Sequence, residues 1–462
     1  MARIVVDRGQ SHIPESLDKP EALLQEALRL SSTDTPPVGP KRNNTRSRTL
    51  TRRGVMWLGQ TCNLRCHFCY FLDRIENAEH IEHPFMTLDK AKAICRTLRD
   101  FYGNTAIDIQ GGEPTLHPDI LELIGYCKGI GLYPTLITNA LVLANKDRCR
   151  EFLEAGVRDF LISVQGLGPA HDAAVGLEGA HAKQMRAIVN LRELGIPFRF
   201  NCVLSKVATP QLPAIAALAV ARGAHAVNFL TFNPFEDQLN AGVRTDENVP
   251  LYSEVSGPLN EALDVLDDAG IEANVRYFPM CLVEERHRKS IYNFKQLPYD
   301  HHEWDYASWT WTGMQPQRSK PGDITPPTQL EPRVNTGRLS GLVAPLKDFI
   351  YSRPFLNGIA QRAYSSVSKL LGSGMGEEQL YWNNGELRAV EHCRYTYAKA
   401  CHSCDLKNIC DGFHGDYAEM FGTSEARSVG DAGIVEHPAH FIRKQDKLVE
   451  PEDESWALNV HH

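Results

Sequence analysis

Strand-like and helix-like patterns alternate along residues 54–234. Short β-branched or aromatic runs predict strands at 55–58, 106–109, 133–138, 160–164, 198–204 and 226–232. Amphipathic patterns between them predict helices at 88–102, 118–129, 146–155, 181–194 and 211–222. Beyond residue 234, a further helix pattern at 251–269 leads to a strand-like run at 271–278. Because each link between strands is long enough for a helix, neighbouring strands are expected to run parallel, with the helices outside the sheet. The chain is therefore predicted to be an α/β protein.

Three thiols lie close together directly after the first predicted strand. Cys62, Cys66 and Cys69 have the spacing C-x3-C-x2-C. Thiolates so crowded can hold three irons of a 4Fe-4S cluster and leave the fourth iron open to an outside ligand. A tetrahedral zinc site favours paired C-x2-C hooks with a second pair or two histidines, which this loop lacks. The spacing therefore predicts an iron–sulfur cluster.

Further motifs directly follow the later strands. They read Gly111-Gly112-Glu113-Pro114 after the second strand, Thr138-Asn139-Ala140 at the third and Ser163-Val164-Gln165-Gly166 at the fourth. The glycines let the backbone approach a ligand closely, and the Glu113 carboxylate can accept hydrogen bonds from an ammonium group. Alone, such a motif is often only a turn. One strand after the thiol loop, it favours a ligand site.

The thiol spacing, Phe68 between the last two thiols, and these motifs resemble the radical SAM superfamily. The resemblance covers about residues 54–422 and implies a partial (β/α)6 TIM-like barrel whose site lies at the C-terminal ends of the strands. It implies a 4Fe-4S cluster on Cys62, Cys66 and Cys69, with the open iron chelating the amino and carboxylate groups of S-adenosylmethionine. An electron from the cluster would then cleave S-adenosylmethionine to a 5′-deoxyadenosyl radical, which abstracts hydrogen from a substrate carbon.

The same resemblance assigns a set of residues to S-adenosylmethionine. They are Phe68, Gly111, Gly112, Glu113, Pro114, Asn139, Ser163 and Asn201, with segment 230–234 near the adenine. The chain departs from the family pattern where Ala140 replaces a glycine and Gln165 replaces an aspartate. Each polar residue could equally be a satisfied group of the barrel interior. The sequence identifies no catalytic acid or base.

A second group of thiols lies near the C-terminus. Cys401, Cys404 and Cys410 have the spacing C-x2-C-x5-C, which predicts a metal, and iron–sulfur is preferred over zinc beside an iron–sulfur pattern. The arrangement resembles the SPASM or shortened twitch extension, with auxiliary clusters. No cysteine follows Cys410, so one auxiliary 4Fe-4S cluster is expected. Its fourth ligand is Cys281, as in related enzymes, or Cys393; Cys281 is preferred.

The expected function is a redox modification of a small molecule, such as dehydrogenation or bond formation. An auxiliary cluster close to the substrate could accept the electron of a substrate radical. One alternative is peptide maturation, although residues 1–50 are too short for a leader-binding domain. Another alternative is a non-enzymatic iron–sulfur or zinc protein, in which Glu113 and Ser163 would have no role.

Charge, hydropathy and cysteine content limit the kinds of partner and the compartment that are expected for this protein. A net charge of -8 without a long basic block argues against nucleic acid. No stretch approaches the roughly 18 apolar residues of a membrane span, and the first residues lack a signal-peptide core, so a cytoplasmic protein is expected. Twelve cysteines in that compartment indicate metal or redox chemistry rather than disulfides. The resemblance also implies an electron donor such as flavodoxin or ferredoxin.

The predicted organisation has five parts. They are a flexible extension at 1–50 with a short helix at 20–31, a core barrel at 51–235, a barrel-closing and aromatic-rich region at 236–345, an auxiliary-cluster region at 346–425 and a polar tail at 426–462. The aromatic run at 299–306 could pack over the barrel mouth or line a substrate pocket. Four thiols without ligand spacing are expected to be buried structural residues, namely Cys95, Cys127, Cys149 and Cys202.

Overall fold

The computed structural model describes most of the barrel and the second thiol group. The described residues are 20–30, 47–69, 83–100, 104–233, 244–296, 301–305, 393–430, 433–442 and 445–449, with the single positions 75, 356, 359 and 389. Within these ranges strands and helices alternate along the chain, as the sequence predicts.

The strands form one parallel sheet. They are β1 (Ser47–Trp57), β2 (Ala106–Gln110), β3 (Tyr133–Thr138), β4 (Asp159–Ser163), β5 (Phe198–Leu204), β6 (Ala226–Thr231), β7 (Glu272–Arg276), β8 (His301–Asp305) and β9 (Asp446–Val449). The order is β7-β6-β5-β4-β3-β2-β1-β8, and β9 pairs with the start of β1. All pairs are parallel. The predicted partial α/β barrel is confirmed, β7 falls in the strand-like run at 271–278, and β8 and β9 extend the sheet beyond the predicted strands.

Helices link the strands. They are α1 (Pro20–Leu30), α2 (Leu88–Asp100), α3 (Ile120–Gly129), α4 (Lys146–Ala155), α5 (Pro169–Val175), α6 (Ala180–Glu193), α7 (Leu212–Arg222), α8 (Tyr252–Asp268) and α9 (Gly415–Phe421). The sequence patterns locate these helices to within a few residues, except α5 and α9. The short α5 has no amphipathic repeat long enough to be recognised.

The barrel interior carries buried ion pairs at the N-terminal ends of the strands. A Cβ on Gly54 would lie 2.6 Å from the side chain of Leu98 on α2, so Gly54 faces the helices and Arg53 faces inward. Arg53 Nη1 donates to Asp108 Oδ2 at 2.7 Å, and Arg199 pairs with Asp159 at the same distance. Burial opposes the charge of Asp159, but Arg199 and then His225 hold its pKa well below the usual range. These pairs fill the lower barrel and leave the C-terminal strand ends for a site.

The structure also describes parts of the N-terminal extension, of the predicted polar tail and of the aromatic run. Helix α1 packs against α6 and α7 through apolar side chains, so this part of the N-terminal extension is docked rather than loose. In the predicted polar tail, β9 adds to the sheet, so the tail is partly ordered as well. The aromatic run supplies the backbone of β8, and its flanking residues lie outside the described ranges.

The four thiols predicted to be structural are all buried, which confirms that prediction. Cys95 and Cys127 join α2 to α3 with their sulfur atoms 3.4 Å apart. No helix in the described part of the chain is long and apolar enough to cross a membrane.

Candidate functional site

The first thiol loop lies at the C-terminal end of β1. Cys62, Cys66 and Cys69 are all partly buried. Burial, and then the nearby charges of Glu113 and Cys69, raise the pKa of Cys62 to about 12. Burial and then the charges of Cys69 and Cys62 raise the pKa of Cys66. The three sulfur atoms are therefore within electrostatic range of one another.

The thiols are not arranged around a single ion. Among the residues that the structure describes, no three His, Cys, Asp or Glu side chains lie close enough together to hold one metal ion. A four-iron cluster binds each thiolate through a different iron, so its ligands stand farther apart. Three thiols on one loop, within reach of one another's charges, have the donor chemistry that such a cluster requires.

The loop is held from one side by the motif after β2. Gly112 donates its N–H to Gly59 O at 2.9 Å, and Glu113 donates its N–H to Thr61 O at 2.8 Å. A Cβ on Gly112 would lie 2.1 Å from Thr61 O, so only glycine fits there. We expected this glycine to admit a ligand, but it admits the backbone of the thiol loop.

Helix α5 holds the loop from the other side. Arg65 donates its N–H to Val175 O at 3.1 Å, and His67 donates its N–H to Ala174 O at 3.2 Å. The helix ends at Gly176, which has φ +71°, and a Cβ there would lie 3.0 Å from Arg65 O. The thiol loop thus lies between two glycine-containing turns from different parts of the barrel.

Glu113 is buried behind the thiol loop, with 1% of its surface exposed. Oε1 accepts from Thr115 N at 3.1 Å, Thr115 Oγ1 at 2.6 Å and Thr138 Oγ1 at 2.7 Å, and Oε2 accepts from Asn139 N at 2.8 Å. Burial raises the pKa of the carboxyl group and these donors oppose the shift. Because Oε2 accepts one bond from the described residues, that of Asn139 N, it retains capacity for a further donor.

Asn139 connects β3 to the same loop. Its Nδ2 donates to Asn63 Oδ1 at 2.8 Å, next to Cys62. The following residue, Ala140, has φ +65° and is fully buried. Glycine is the residue that adopts this left-handed backbone most easily, which gives a physical reason for glycine in the motif that the sequence resembles.

The remaining predicted ligand contacts lie across the barrel mouth. Ser163 and Asn201 face each other in the register of β4 and β5, with Asn201 9% exposed. Gln165 donates to Asn201 O at 3.2 Å and accepts from Val203 N at 2.9 Å, so its amide is used within the protein. Pro114 is buried in a short turn, and Phe68 packs edge-on against His67 with ring centres 5.5 Å apart. Of segment 230–234, residues 230 and 231 end β6, residues 232 and 233 follow it, and residue 234 is outside the described ranges.

The second thiol group lines one cleft. Cys281, Cys401, Cys404 and Cys410 all border it, together with Lys407, Arg427, Tyr397 and Phe413. Cys393 does not border this cleft and packs instead with Tyr292, Phe294 and Tyr395. The structure thus brings Cys281 to the C-terminal trio and keeps Cys393 apart, although the ligand set itself stays a prediction.

Electrostatic effects in this cleft connect the same four thiols. Burial raises the pKa of Cys281, and the charges of Cys401 and Cys404 add to it, while a backbone N–H from Arg427 lowers it. Burial raises the pKa of Cys410 to about 12, against backbone N–H groups of Met280 and Gly412. These N–H groups favour the thiolate, which is the form that binds iron.

A further set of residues lies between the two thiol groups, and sequence patterns did not indicate it. Arg244 is 4% exposed and donates through Nη2 to Phe68 O at 3.0 Å and through Nη1 to Asn233 O. Its guanidinium lies 4.2 Å from the ring centre of Phe232. Arg244 is a single arginine after β6 and belongs to no recognisable sequence motif, so the sequence alone does not indicate a functional role for it.

Comparison with known proteins agrees with this geometry. Residues 58–218, which carry the first thiol loop and the strands β2 to β5, match the family model described as Radical SAM superfamily. The chain contains a radical SAM domain. The family of this domain implies a 4Fe-4S cluster and S-adenosylmethionine.

The relatives of the radical SAM domain match only part of their own length. The PqqA peptide cyclase of Bradyrhizobium diazoefficiens is 32% identical over 163 residues, 34% of this chain and 40% of that protein. The AdoMet-dependent heme synthase of Oleidesulfovibrio alaskensis is 31% identical over 210 residues, 44% of this chain and 51% of that protein. The chain thus spans about half or less of these relatives.

Solved structures similar to the chain include Streptococcus suis SuiB bound to its precursor peptide SuiA. That likeness has a TM-score of 0.41 and 18% identity, and it covers 59% of this chain and 57% of the SuiB chain.

Proposed function

We propose that this protein is a radical SAM enzyme that binds a 4Fe-4S cluster through Cys62, Cys66 and Cys69. The observation that carries the proposal is the convergence of these three thiols at the C-terminal end of β1, directly in front of the buried Glu113. When bound there, the cluster supplies the electron that cleaves S-adenosylmethionine to a 5′-deoxyadenosyl radical.

The protein's own groups bind and orient S-adenosylmethionine. Glu113 is fixed by Thr115, Thr138 and Asn139, and its carboxylate would accept a hydrogen bond from the ammonium group of the cofactor. Ser163 and Asn201 lie side by side across β4 and β5 and supply polar groups for the ribose hydroxyls. Because the donors around Glu113 are already in place, little reorganisation is needed when the cofactor binds.

We propose that the four thiols of the second cleft hold one auxiliary 4Fe-4S cluster. Cys281 reaches this cleft from the segment after β7, and Cys401, Cys404 and Cys410 come from the C-terminal region. Four thiols fit a closed cluster without an open iron. Ligation by Cys281 would clamp the C-terminal region to the barrel.

The substrate we favour is the side chain of a peptide rather than a small molecule. The PqqA peptide cyclases support this choice, since their name states a peptide substrate and several of them match at 31–32% identity. A small-molecule substrate remains the second candidate because the heme synthases match at 31% and 33%. A low-potential electron donor such as flavodoxin or ferredoxin is the expected partner.

The proposal is tested by iron content and by release of 5′-deoxyadenosine. The anaerobically reconstituted protein should contain about eight irons, and changing Cys62, Cys66 and Cys69 together to Ala should leave about four. Release of 5′-deoxyadenosine with dithionite should disappear in the same variant. Cleavage that survives the triple substitution, or an unchanged iron count, would exclude this assignment.

A second assay separates the substrate classes. The reconstituted protein is incubated with S-adenosylmethionine and either synthetic peptides or porphyrins. A peptide that loses hydrogen mass in step with 5′-deoxyadenosine release supports peptide modification. Turnover of the porphyrin alone supports the second candidate.

A further inference from the structure

Arg244 is a buried cation whose contacts lead toward both thiol groups. Toward the first group, its Nη2 donates to the carbonyl of Phe68, the residue before Cys69, at 3.0 Å. Its guanidinium also covers the ring of Phe232, which packs edge-on against His67 with ring centres 6.0 Å apart. Arg244 thus determines where the Cys69 end of the first loop lies.

Toward the second group, Arg244 is linked through Asn233 and Tyr252. Its Nη1 donates to Asn233 O, and Tyr252 Oη donates to Asn233 Oδ1 at 2.5 Å. The ring of Tyr252 stacks on Tyr417 at 3.7 Å and lies 5.6 Å from Phe413, which borders the second cleft. A continuous series of contacts therefore runs from the first loop to the wall of the second cleft.

The charge of Arg244 reaches both sides. On the side of the first group, the guanidinium contacts the carbonyl of Phe68, directly beside Cys69. It also contributes, after burial, to the lowered pKa of His414, which follows Cys410 and begins α9. Arg244 is 4% exposed, and a buried charge is screened much less by solvent and salt than an exposed one.

We propose that Arg244 is a positioning residue that both thiol groups share, and that its fixed positive charge raises the reduction potentials of the two clusters together. The inference rests on the proposed function, because it requires both clusters. Reduction adds one negative charge to a cluster, so a nearby cation stabilises the reduced form more than the oxidised form. One side chain can act on both clusters only if it lies between them.

The test is a redox titration, followed by electron paramagnetic resonance, of the reconstituted full chain. Arg244→Gln removes the charge and keeps a hydrogen-bond donor, and Arg244→Lys keeps a charge. We expect both midpoint potentials to become more negative in Arg244→Gln, with a smaller shift in Arg244→Lys. A role limited to packing would not predict that Lys restores both potentials.

Arg222→Gln is the matched control. Arg222 is 6% exposed and also donates to a backbone carbonyl, that of Leu28, but it lies on the outer helix α7. Both potentials should match the wild type in this variant. Shifts in Arg222→Gln equal to those in Arg244→Gln would overturn the proposal, because loss of any buried arginine would then suffice.

The remaining outcomes are also decisive. A shift of one potential only, or of neither, in Arg244→Gln contradicts a shared charge. If Arg244→Gln and Arg244→Met load no clusters while Arg244→Lys loads both, the charge is required, as proposed. If Arg244→Lys also loads none, the side chain acts only through its hydrogen bonds and the inference fails. A wild-type protein that loads no clusters would instead refute the proposed function itself.

Discussion

The two thiol groups differ in how the chain assembles them. Cys62, Cys66 and Cys69 belong to one short loop, which the backbone of Gly112 and the end of α5 hold in place. In the second group, Cys281 comes from the segment after β7, far in sequence from the three other thiols of its cleft. The first group is therefore a local motif, whereas the second exists only once the C-terminal region has packed against the barrel.

The two groups also differ in the charges around them. Glu113 is buried behind the first loop and disfavours the thiolate of Cys62. Lys407 and Arg427 border the second cleft, and backbone N–H groups donate to Cys281 and Cys410. A carboxylate beside an open iron suits a cationic ligand, while cations and N–H groups beside four thiolates offset their charge. The difference fits a cofactor-binding role for the first group and a purely redox role for the second.

The largest effect on iron content is expected at Gly112, because the first thiol loop packs against this glycine. Gly112→Ala places a Cβ 2.1 Å from Thr61 O, so the thiol loop must move. We expect the first cluster to be lost and the auxiliary cluster kept, with iron falling from about eight to about four, and a destabilisation of at least about 1–3 kcal/mol.

Gly125→Ala is the control for this substitution. Gly125 lies on the exposed side of α3, where the nearest atom to an added Cβ is Ala155 O at 3.9 Å, an ordinary contact, so alanine should stabilise the helix by up to about 1 kcal/mol. Iron content should not change there. Full iron loading in Gly112→Ala would show that the first group tolerates displacement and does not depend on this close approach.

The second group is tested by comparing Cys281 with Cys393. Cys281→Ala should lose the auxiliary cluster, about four irons, while 5′-deoxyadenosine release from the first cluster persists. Cys393→Ala should keep both clusters, because Cys393 packs among aromatic side chains outside the cleft. Iron content and the paramagnetic spectrum of each variant decide the matter. Cluster loss in Cys393→Ala with an intact Cys281→Ala would reverse the assignment.

How much of each group could be predicted from the sequence follows from this difference in assembly. The three-thiol loop and the motif after β2 were recognisable because their spacing is local. The preference for Cys281 over Cys393 had no such local signal and came from the family resemblance, since both are single cysteines whose positions depend on tertiary packing. Helix α5 and Arg244 escaped notice for a related reason, because a short helix and a lone cation carry no periodic signal.

The role of Gly112 shows a second limit of sequence reasoning. A pair of glycines indicates close approach, but it does not indicate what approaches. The structure shows that the backbone of Thr61 occupies the space beside Gly112. Gln165 shows the same limit. The sequence does not indicate whether its amide faces a ligand, and in the structure the amide forms hydrogen bonds with the backbone of β5.

A moderate effect is expected at Glu113, where the first group should differ from the second by binding a cation. Glu113→Gln removes the negative charge and turns an amide N–H₂ toward groups that are themselves donors. Affinity for S-adenosylmethionine should fall about tenfold or more, as expected for loss of a charged hydrogen bond, and iron content should not change. Equilibrium dialysis measures the affinity.

Thr138→Val is the control, because it removes one neutral donor to the carboxylate and keeps the charge. It also removes the acceptor of the buried Ala140 N–H, so it should cost about 1–3 kcal/mol of stability with little loss of affinity. If Thr138→Val weakens binding as much as Glu113→Gln does, the geometry of the carboxylate matters more than its charge.

The smallest effect is expected at Ala140, where the first group departs from the glycine of the motif it resembles. Ala140→Gly relieves a left-handed backbone conformation that costs alanine about 1–2 kcal/mol. It also removes a fully buried methyl group worth about 0.8 kcal/mol and adds chain entropy to the unfolded state worth about 0.5–1 kcal/mol. These terms nearly cancel, so the free energy of unfolding should change by less than about 1 kcal/mol.

Denaturant unfolding measures this change in stability. Affinity for S-adenosylmethionine should equal that of the wild type, because Asn139 keeps its bonds to Glu113 and Asn63. A large gain in affinity would instead mean that alanine holds the first group in a less productive geometry, and that its local motif does not by itself determine how it binds.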